Sequence, residues 1–169
     1  MAHPAIDDVT LTRGWPTVGP PGGPYAGPMS EGTTADLFEA ARAVQGNAHV
    51  PYSRFRVGAA FRAASGTVYV GCNVENASFP EGICAESAAM GAMVTAGEYE
   101  IVEVLTIADG DRLTTPCGGC RQRIKEFARP EVLVHAAGPE GVRRTFTLGE
   151  LIPASFTPEH VIEPPEVES

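Results

Sequence analysis

Three of the four cysteines constrain this chain more than any other feature of its sequence. Cys117 and Cys120 are three residues apart, so on a helix their sulfurs lie on one face and can bind a single metal ion. Cys84, in an earlier segment, can supply a third ligand. The spacing predicts one metal centre to which two separate segments contribute.

The residues around these cysteines predict helix starts. Thr115 and Pro116 resemble an N-cap followed by proline at the first helical position, which places Cys117 and Cys120 in the opening turns of a helix. Cys84 follows a proline and glycine break and is expected to open a helix of its own. Three ligands would then converge at two positive helix ends, where a thiolate is favoured over a thiol.

A centre with three cysteine ligands has a free position. Tetrahedral zinc then binds water there, which marks a catalytic site, and lowers the pKa of that water from near 16 to about 7. The metal cannot carry the released proton. That task needs an acid/base group, and Glu86, two residues after Cys84, is the candidate.

The charge balance limits the partners of the chain. Lys and Arg number 12 against 21 Asp and Glu, giving a formal net charge of −9 that repels phosphate backbones and favours a small uncharged substrate over nucleic acid. No apolar run approaches the roughly 18 residues of a membrane span and no signal peptide is recognisable, so a cytoplasmic location is expected. In that reducing compartment, four cysteines are typical of metal or catalytic thiols.

The 169 residues predict one domain with two appendages. Residues 1–32 are rich in Pro and Gly and have too few apolar side chains to form a hydrophobic core, which predicts a flexible arm. Residues 33–157 carry the periodic patterns of the catalytic domain. Residues 158–169 form an acidic tail.

Within the domain, strand and helix patterns alternate. A first helix is predicted from Thr33 or Thr34 to Gly46. The later elements are hairpin strands at 56–64 and 67–73, a helix at 84–96, a strand at 101–108, a helix at 116–128, and strands at 132–136 and 143–148. This order predicts an α/β layered fold around a mixed sheet.

Several motifs resemble those of one enzyme family. Cys84-Ala85-Glu86 followed by Pro116-Cys117-Gly118-Gly119-Cys120 matches the three-cysteine form of the zinc nucleobase-deaminase signature. Further matching stretches are residues 51–60 (PYSRFRVGAA), 71–77 (GCNVENA), 117–122 (CGGCRQ) and 151–156 (LIPASF). From about residue 47 to residue 156, the chain resembles the small homotetrameric cytidine deaminases.

The resemblance implies a fold, a cofactor and an activity. The fold is three-layer α-β-α with a mixed five-stranded sheet, and the activity is zinc-dependent deamination of cytidine or 2′-deoxycytidine in pyrimidine salvage by a homotetramer. The resemblance also implies that Cys84, Cys117 and Cys120 bind zinc and that Glu86 transfers protons. The implied substrate contacts are Asn73 and Glu75 with the sugar 3′-hydroxyl, Phe55 with the pyrimidine, the Ala85 backbone with the base, and Phe156 with a neighbouring subunit's pocket.

One residue of the site departs from the family pattern. Many relatives place Arg directly after the catalytic Glu, where it offsets thiolate charge, whereas this chain has Ser87. Arg121, next to Cys120, is the candidate to take over part of that role; the simpler interpretation is an ordinary surface arginine. The Pro/Gly arm also has no counterpart in compact relatives.

Simpler interpretations of the other residues stay open. A structural zinc site would need a fourth protein ligand, for which Cys72, His49 and His135 are candidates. Cys117 and Cys120 could also form a redox pair. Glu86 can be an ordinary first-turn glutamate, Asn73 and Glu75 can cap a turn, and Phe55 and Phe156 can be core aromatics.

Three other functions compete with cytidine deamination. The first is a deaminase of a modified cytosine nucleoside, such as a 5-substituted cytidine or a blasticidin S-like antibiotic. The second is a polynucleotide editor, which the acidic charge disfavours. The third is a non-catalytic, zinc-stabilised interaction module.

Overall fold

The computed structural model describes residues 32–158 and His160. The arm predicted at 1–32, apart from Gly32, and most of the tail predicted at 158–169 lie outside these residues. The elements are α1 (Thr34–Gln45), β1 (Val57–Ala63), β2 (Val68–Cys72), α2 (Ala85–Thr95), β3 (Ile101–Ala108), α3 (Gly118–Phe127), β4 (Ala128–Gly138), β5 (Gly141–Thr147) and α4 (Leu148–Leu151).

The five strands form one mixed sheet in the order β2-β1-β3-β4-β5. Strands β3 and β4 are parallel because α3 crosses between them, and the other neighbouring pairs are antiparallel. The predicted hairpin is confirmed, with Gly66 at its turn adopting a φ of 89°, which glycine tolerates without strain. The mixed sheet and its α/β layers are therefore confirmed.

Helices cover both faces of the sheet. On one face, Leu37 and Ala41 of α1 pack with buried apolar residues of the strands, among them Leu105 and Ile107. On the other face, α2, α3 and α4 pack over a second apolar cluster. The chain thus has three layers, α-β-α.

Glycine allows α2 to approach the sheet closely. A Cβ atom at Gly71 of β2 would lie 2.3 Å from the Ala89 backbone N and 2.5 Å from the Ala85 backbone O. Because those atoms belong to the α2 backbone, a side chain at this position would displace the helix. Gly71 therefore lets α2 lie directly against β2.

The prediction for α3 is wrong at its start. The helix begins at Gly118 with Cys117 as its N-cap, two residues later than Thr115 and Pro116 would place it. The Pro116 carbonyl accepts a hydrogen bond from Arg121 Nε (2.7 Å), so a side chain takes the place of a helical N–H. Cys117 has extended backbone angles, φ −65° and ψ 164°.

A buried polar network lies on the α1 face. Glu103 of β3 accepts hydrogen bonds from Arg62 Nε (3.0 Å) and Thr34 Oγ1 (2.7 Å) and lies 3.1 Å from His135 Nε2. His135 Nδ1 is 2.8 Å from Thr145 Oγ1. His135 is thus occupied within the sheet and does not serve as a fourth metal ligand.

None of the helices formed by the described residues is long and apolar enough to cross a membrane.

Candidate metal centre and active site

Three cysteine sulfurs meet where α2 and α3 begin. The Sγ atoms of Cys84, Cys117 and Cys120 all lie within 4.8 Å of one another, and those of Cys84 and Cys117 are 4.0 Å apart. Tetrahedral zinc with Zn–S bonds of about 2.3 Å holds its sulfurs about 3.8 Å apart. The three sulfurs therefore lie close enough together to share one zinc ion.

Both helix starts contribute cysteines to this cluster, as the sequence predicts. Cys84 is the N-cap of α2, Cys117 is the N-cap of α3, and Cys120 lies in the first turn of α3. Soft thiolate ligands select metals such as zinc, and the positive helix ends partly offset their negative charge.

The thiols differ in how readily they ionise. Burial, followed by the charge of Cys117, raises the pKa of Cys84; burial, followed by the charges of Glu86 and Cys84, raises the pKa of Cys120. Burial also opposes the Cys117 thiolate, but the backbone N–H of Cys120 and the neighbouring thiols outweigh it and lower the pKa of Cys117. A divalent cation would supply the positive charge that all three thiolates need, so the donor set fits a metal.

Within the described residues, these cysteines are the one cluster of His, Cys, Asp or Glu side chains that could hold a metal. Neither Cys72 nor His49 joins it. Among residues 32–158 and His160, the cluster therefore offers three protein ligands rather than the four of a closed structural site, and three ligands fit a catalytic centre.

Glu86 lies in the first turn of α2 and is only 4% exposed. Its Oε1 accepts a hydrogen bond from Thr106 Oγ1 of β3 (3.3 Å). A buried carboxylate beside three thiols is placed to exchange protons with a molecule bound at the metal.

A cavity of about 440 Å³ opens beside the metal centre. Cys84 lines it together with Asn73 and Glu75, while Tyr52, Phe79 and Ile83 supply apolar surface. Paired backbone hydrogen bonds between Val74 and Ile83 (both 2.9 Å) tie the Asn73 loop to the segment that leads into Cys84. The cavity combines apolar walls with a few polar groups, as small-molecule sites do.

Asn73 and Glu75 also organise the loops that surround the cavity. Asn73 Oδ1 accepts from the Val57 N–H (2.9 Å) and Asn73 Nδ2 donates to the Phe55 carbonyl (2.9 Å). Glu75 Oε2 accepts from the backbone N–H groups of Tyr52 (2.9 Å) and Ser53 (3.2 Å). The Ser53 side chain and these two N–H groups hold the pKa of Glu75 below its ordinary 4.5.

The other predicted substrate residues are more dispersed. Ala85 is fully buried beside Cys84, and Phe55 is 39% exposed. Phe156 does not line the cavity of its own chain. It lies 59% exposed, held by a hydrogen bond from Gln122 Nε2 to its carbonyl (2.8 Å), and its ring stacks on His160.

Ser87 and Arg121 differ from the simplest expectations. Ser87 Oγ lies 3.8 Å from Cys120 Sγ, within hydrogen-bonding distance for sulfur. Arg121 is not a plain surface arginine, because it donates to Thr115 Oγ1 (2.7 Å), the Pro116 carbonyl (2.7 Å) and the Leu151 carbonyl (2.9 Å). None of these three bonds reaches a cysteine sulfur.

Sequence reasoning missed Thr106 and the short helix α4. Thr106 is a polar residue inside the otherwise apolar run of β3, and this break in the pattern was a signal for it. Helix α4 begins with a capping box formed by Thr147 and Glu150. The Thr147 N–H donates to Glu150 Oε2 (2.6 Å), and the Glu150 N–H donates to Thr147 Oγ1 (3.2 Å).

Comparisons with known proteins agree with this geometry. The family model described as the cytidine and deoxycytidylate deaminase zinc-binding region matches residues 32–136. A cytidine deaminase of Halalkalibacterium halodurans is 40% identical over 123 residues, which cover 73% of this chain and 92% of the relative.

Solved structures give the same result. The crystal structure of cytidine deaminase from Burkholderia pseudomallei superposes with a TM-score of 0.69 at 36% identity, covering 73% of this chain and 99% of that chain. Cytidine deaminase from Mycobacterium tuberculosis superposes with a TM-score of 0.64 at 35% identity, covering 73% and 97% respectively. The similarity thus spans nearly the whole of both solved chains.

Proposed function

This chain belongs to the family of cytidine and deoxycytidylate deaminases, and from that membership we propose that it hydrolyses cytidine and 2′-deoxycytidine to uridine and 2′-deoxyuridine with release of ammonia. The observation that carries the proposal is the group of three thiols beside a buried glutamate, at the edge of a cavity of nucleoside size. The cofactor is zinc, held by Cys84, Cys117 and Cys120. When bound, zinc supplies a Lewis acid that makes water a nucleophile at neutral pH.

Glu86 moves the protons in this proposal. Its carboxylate accepts a proton from the attacking water and passes it to N3 of the cytosine ring. It then takes the remaining proton from the oxygen newly bonded to C4 and delivers it to the 4-amino group, so the C4–N bond breaks, the C4 carbonyl of the product forms and ammonia leaves. Burial of Glu86 supports this role, because a shielded carboxylate exchanges protons with the substrate rather than with solvent.

The remaining predicted residues bind the nucleoside. Asn73 and Glu75 hold the sugar 3′-hydroxyl, the Ala85 backbone contacts the base, and Phe55 packs against the pyrimidine. The position of Asn73 and Glu75 in the wall of the cavity that also exposes Cys84 supports this assignment. A modified cytosine nucleoside is not favoured as the main substrate, because the relatives bear the name cytidine deaminase.

The biological setting is part of the proposal. We place the enzyme in pyrimidine salvage in the cytoplasm, where reducing conditions keep its cysteines as thiols. The net charge of −9 supports a nucleoside rather than a polynucleotide substrate. A homotetramer is proposed because the largely exposed Phe156 lies outside its own cavity and is available to a second copy.

The test is ammonia release from cytidine by zinc-loaded and metal-stripped protein. Zinc-loaded protein should turn over, and stripping should remove the activity until zinc is restored. A panel of 2′-deoxycytidine, 5-methylcytidine and a cytosine antibiotic ranks the substrates. If no cytosine compound is deaminated by zinc-loaded protein, the proposal fails.

Substituting Glu86→Gln separates metal binding from catalysis. The variant should keep one zinc per subunit and lose at least about a thousandfold in kcat, because glutamine cannot carry a proton. Glu131→Gln, an exposed change on β4, is the matched control and should behave as the parent. Near-normal turnover by Glu86→Gln would remove Glu86 from the mechanism.

A further inference from the structure

Thr106 places a hydroxyl in an otherwise apolar part of the sheet. It is 1% exposed, and its neighbours in β3, Leu105 and Ile107, are fully buried. A buried hydroxyl without a partner is destabilising, whereas valine has the same shape without that penalty. A threonine here therefore needs a partner, and its Oγ1 donates to Glu86 Oε1 (3.3 Å).

The side chains beside Thr106 leave room for this contact. Thr106 is in register with Ala59 of β1 on one side and Ala136 of β4 on the other, and both alanines are fully buried. Two methyl groups flank the hydroxyl, so the Glu86 carboxylate can approach the sheet between α2 and β3.

Thr106 is also the one hydrogen-bond partner of the Glu86 side chain within the described residues. The other buried polar side chains of the sheet, Arg62 and His135, belong to the network on the α1 face. A hydrogen bond to one carboxylate oxygen fixes the rotation of the group and leaves the second oxygen for another contact.

We propose that Thr106 is a positioning residue that holds Glu86 Oε1 and so aims the other carboxylate oxygen at the substrate. This inference rests on the proposed function of Glu86 as the proton carrier. Thr106 acts through Glu86 and touches neither metal nor nucleoside. Its hydroxyl fixes the geometry in which each proton transfer occurs.

The first test compares Thr106→Val with Thr106→Ser. Valine keeps the shape and removes the hydroxyl, so kcat for cytidine should fall about tenfold or more while KM changes less than about threefold. Serine keeps the hydroxyl and should restore most of the rate. Thr145→Val is the matched control, because that hydroxyl contacts His135 on the opposite face, and it should leave kcat unchanged.

The second test measures binding rather than turnover. A nucleoside analogue with a tetrahedral, hydroxylated C4 resembles the transition state, whereas uridine resembles the product. Thr106→Val should weaken binding of the analogue about tenfold and leave uridine binding unchanged. In a Glu86→Ala background the same substitution should have no further effect on the analogue, because alanine has no side-chain oxygen to accept the Thr106 hydroxyl.

Zinc content and melting temperature are measured for every variant, so that loss of metal or fold is recognised. If Thr106→Val does not fold, Thr106→Ala replaces it, since alanine already flanks the position on both sides. The inference would be overturned if Thr106→Val or Thr106→Ala folds, binds zinc and keeps the parental kcat. It would also be overturned if Thr106→Ser lowers kcat as much as Thr106→Val does. Full activity of Glu86→Gln would instead refute the role proposed for Glu86.

Discussion

At the scale of single residues, Arg121 joins the segment before Cys117 to the end of α4. Its guanidinium bridges Thr115 and Pro116, just before the Cys117 ligand, to the Leu151 carbonyl of α4. The planar fork of arginine matches several acceptors at once, which a lysine ammonium cannot do.

Replacing Arg121 with lysine should therefore loosen the Cys117 segment. We expect unfolding stability to fall by about 1–2 kcal/mol and zinc to dissociate several-fold faster. Thermal denaturation and transfer of zinc to a chelator measure the two effects. Arg123→Lys, an exposed change on the same helix, should alter neither, and equal effects of both substitutions would contradict the bridging role.

Glu103 makes the stability of the fold depend on acid pH. Burial alone would raise the pKa of Glu103, but hydrogen bonds from Thr34 and Arg62 and the charges of Arg62 and His135 outweigh it. The pKa therefore lies below the ordinary 4.5. A carboxyl with a lowered folded-state pKa contributes stability above its ordinary pKa and loses it as the pH falls.

Urea denaturation between pH 7 and pH 3 tests this contribution. The parent should lose stability as the pH drops through 4.5 and below. Glu103→Gln should be less stable at pH 7, by roughly 1–3 kcal/mol, and less dependent on pH in the acid range. An unchanged acid slope in the variant would show that Glu103 does not carry the effect.

The sequence predicts some functional residues better than others. The clustering of the three cysteines was predictable because Cys84 and Glu86, and Cys117 and Cys120, form two short motifs whose spacing indicates a metal site. The contacts of Arg121 with Leu151 and of Thr106 with Glu86 join residues 30 and 20 positions apart, and no local pattern encodes them. Such partners follow only from the folded sheet.

At the scale of secondary-structure elements, the close approach of α2 to β2 positions the site. Gly71→Ala would press a methyl group into the α2 backbone, because a Cβ there lies 2.3 Å from the Ala89 N atom. We expect a loss of about 1–3 kcal/mol in unfolding stability and weaker zinc binding, since Cys84 begins the displaced helix.

Gly91→Ala on α2 is the matched control for this prediction. A Cβ at Gly91 has no neighbour within 4 Å, and alanine favours a helix interior over glycine by about 1 kcal/mol. This variant should be as stable as the parent or more so in thermal denaturation. A stable Gly71→Ala variant with normal zinc affinity would show that the helix has room to move.

Element types were easier to predict than element boundaries. The hairpin, α2 and β3 follow from periodicity and turn residues, and β3 has the predicted bounds. The start of α3 was misplaced because the Arg121 side chain, rather than a helical N–H, takes the Pro116 carbonyl. Strand β4 begins at Ala128, earlier than its apolar core suggests, because pairing with β3 extends it.

At the scale of the whole molecule, Phe156 tests the proposed homotetramer. If it completes the site of a neighbouring subunit, Phe156→Ala should reduce turnover about tenfold or more. Mixing the impaired Phe156→Ala subunits with inactive Glu86→Gln subunits should then restore part of the activity, because the Glu86→Gln subunits supply Phe156 to sites that retain Glu86.

Light scattering and ammonia release measure assembly and complementation together. Val142→Ala, at another exposed apolar residue, is the control and should leave turnover unchanged. Mixed subunits that turn over no faster than the Phe156→Ala subunits among them would contradict a shared site, as would a fully active monomer.

The five-stranded sheet keeps the Arg62, Glu103 and His135 network on one face and the Glu86 and Thr106 pair on the other. Laboratory evolution can therefore address heat tolerance and rate as separate traits. Replacing buried ion pairs with well-packed apolar side chains is often neutral or stabilising. A library of substitutions confined to the α1 face of the sheet should yield variants with a higher melting temperature and an unchanged kcat.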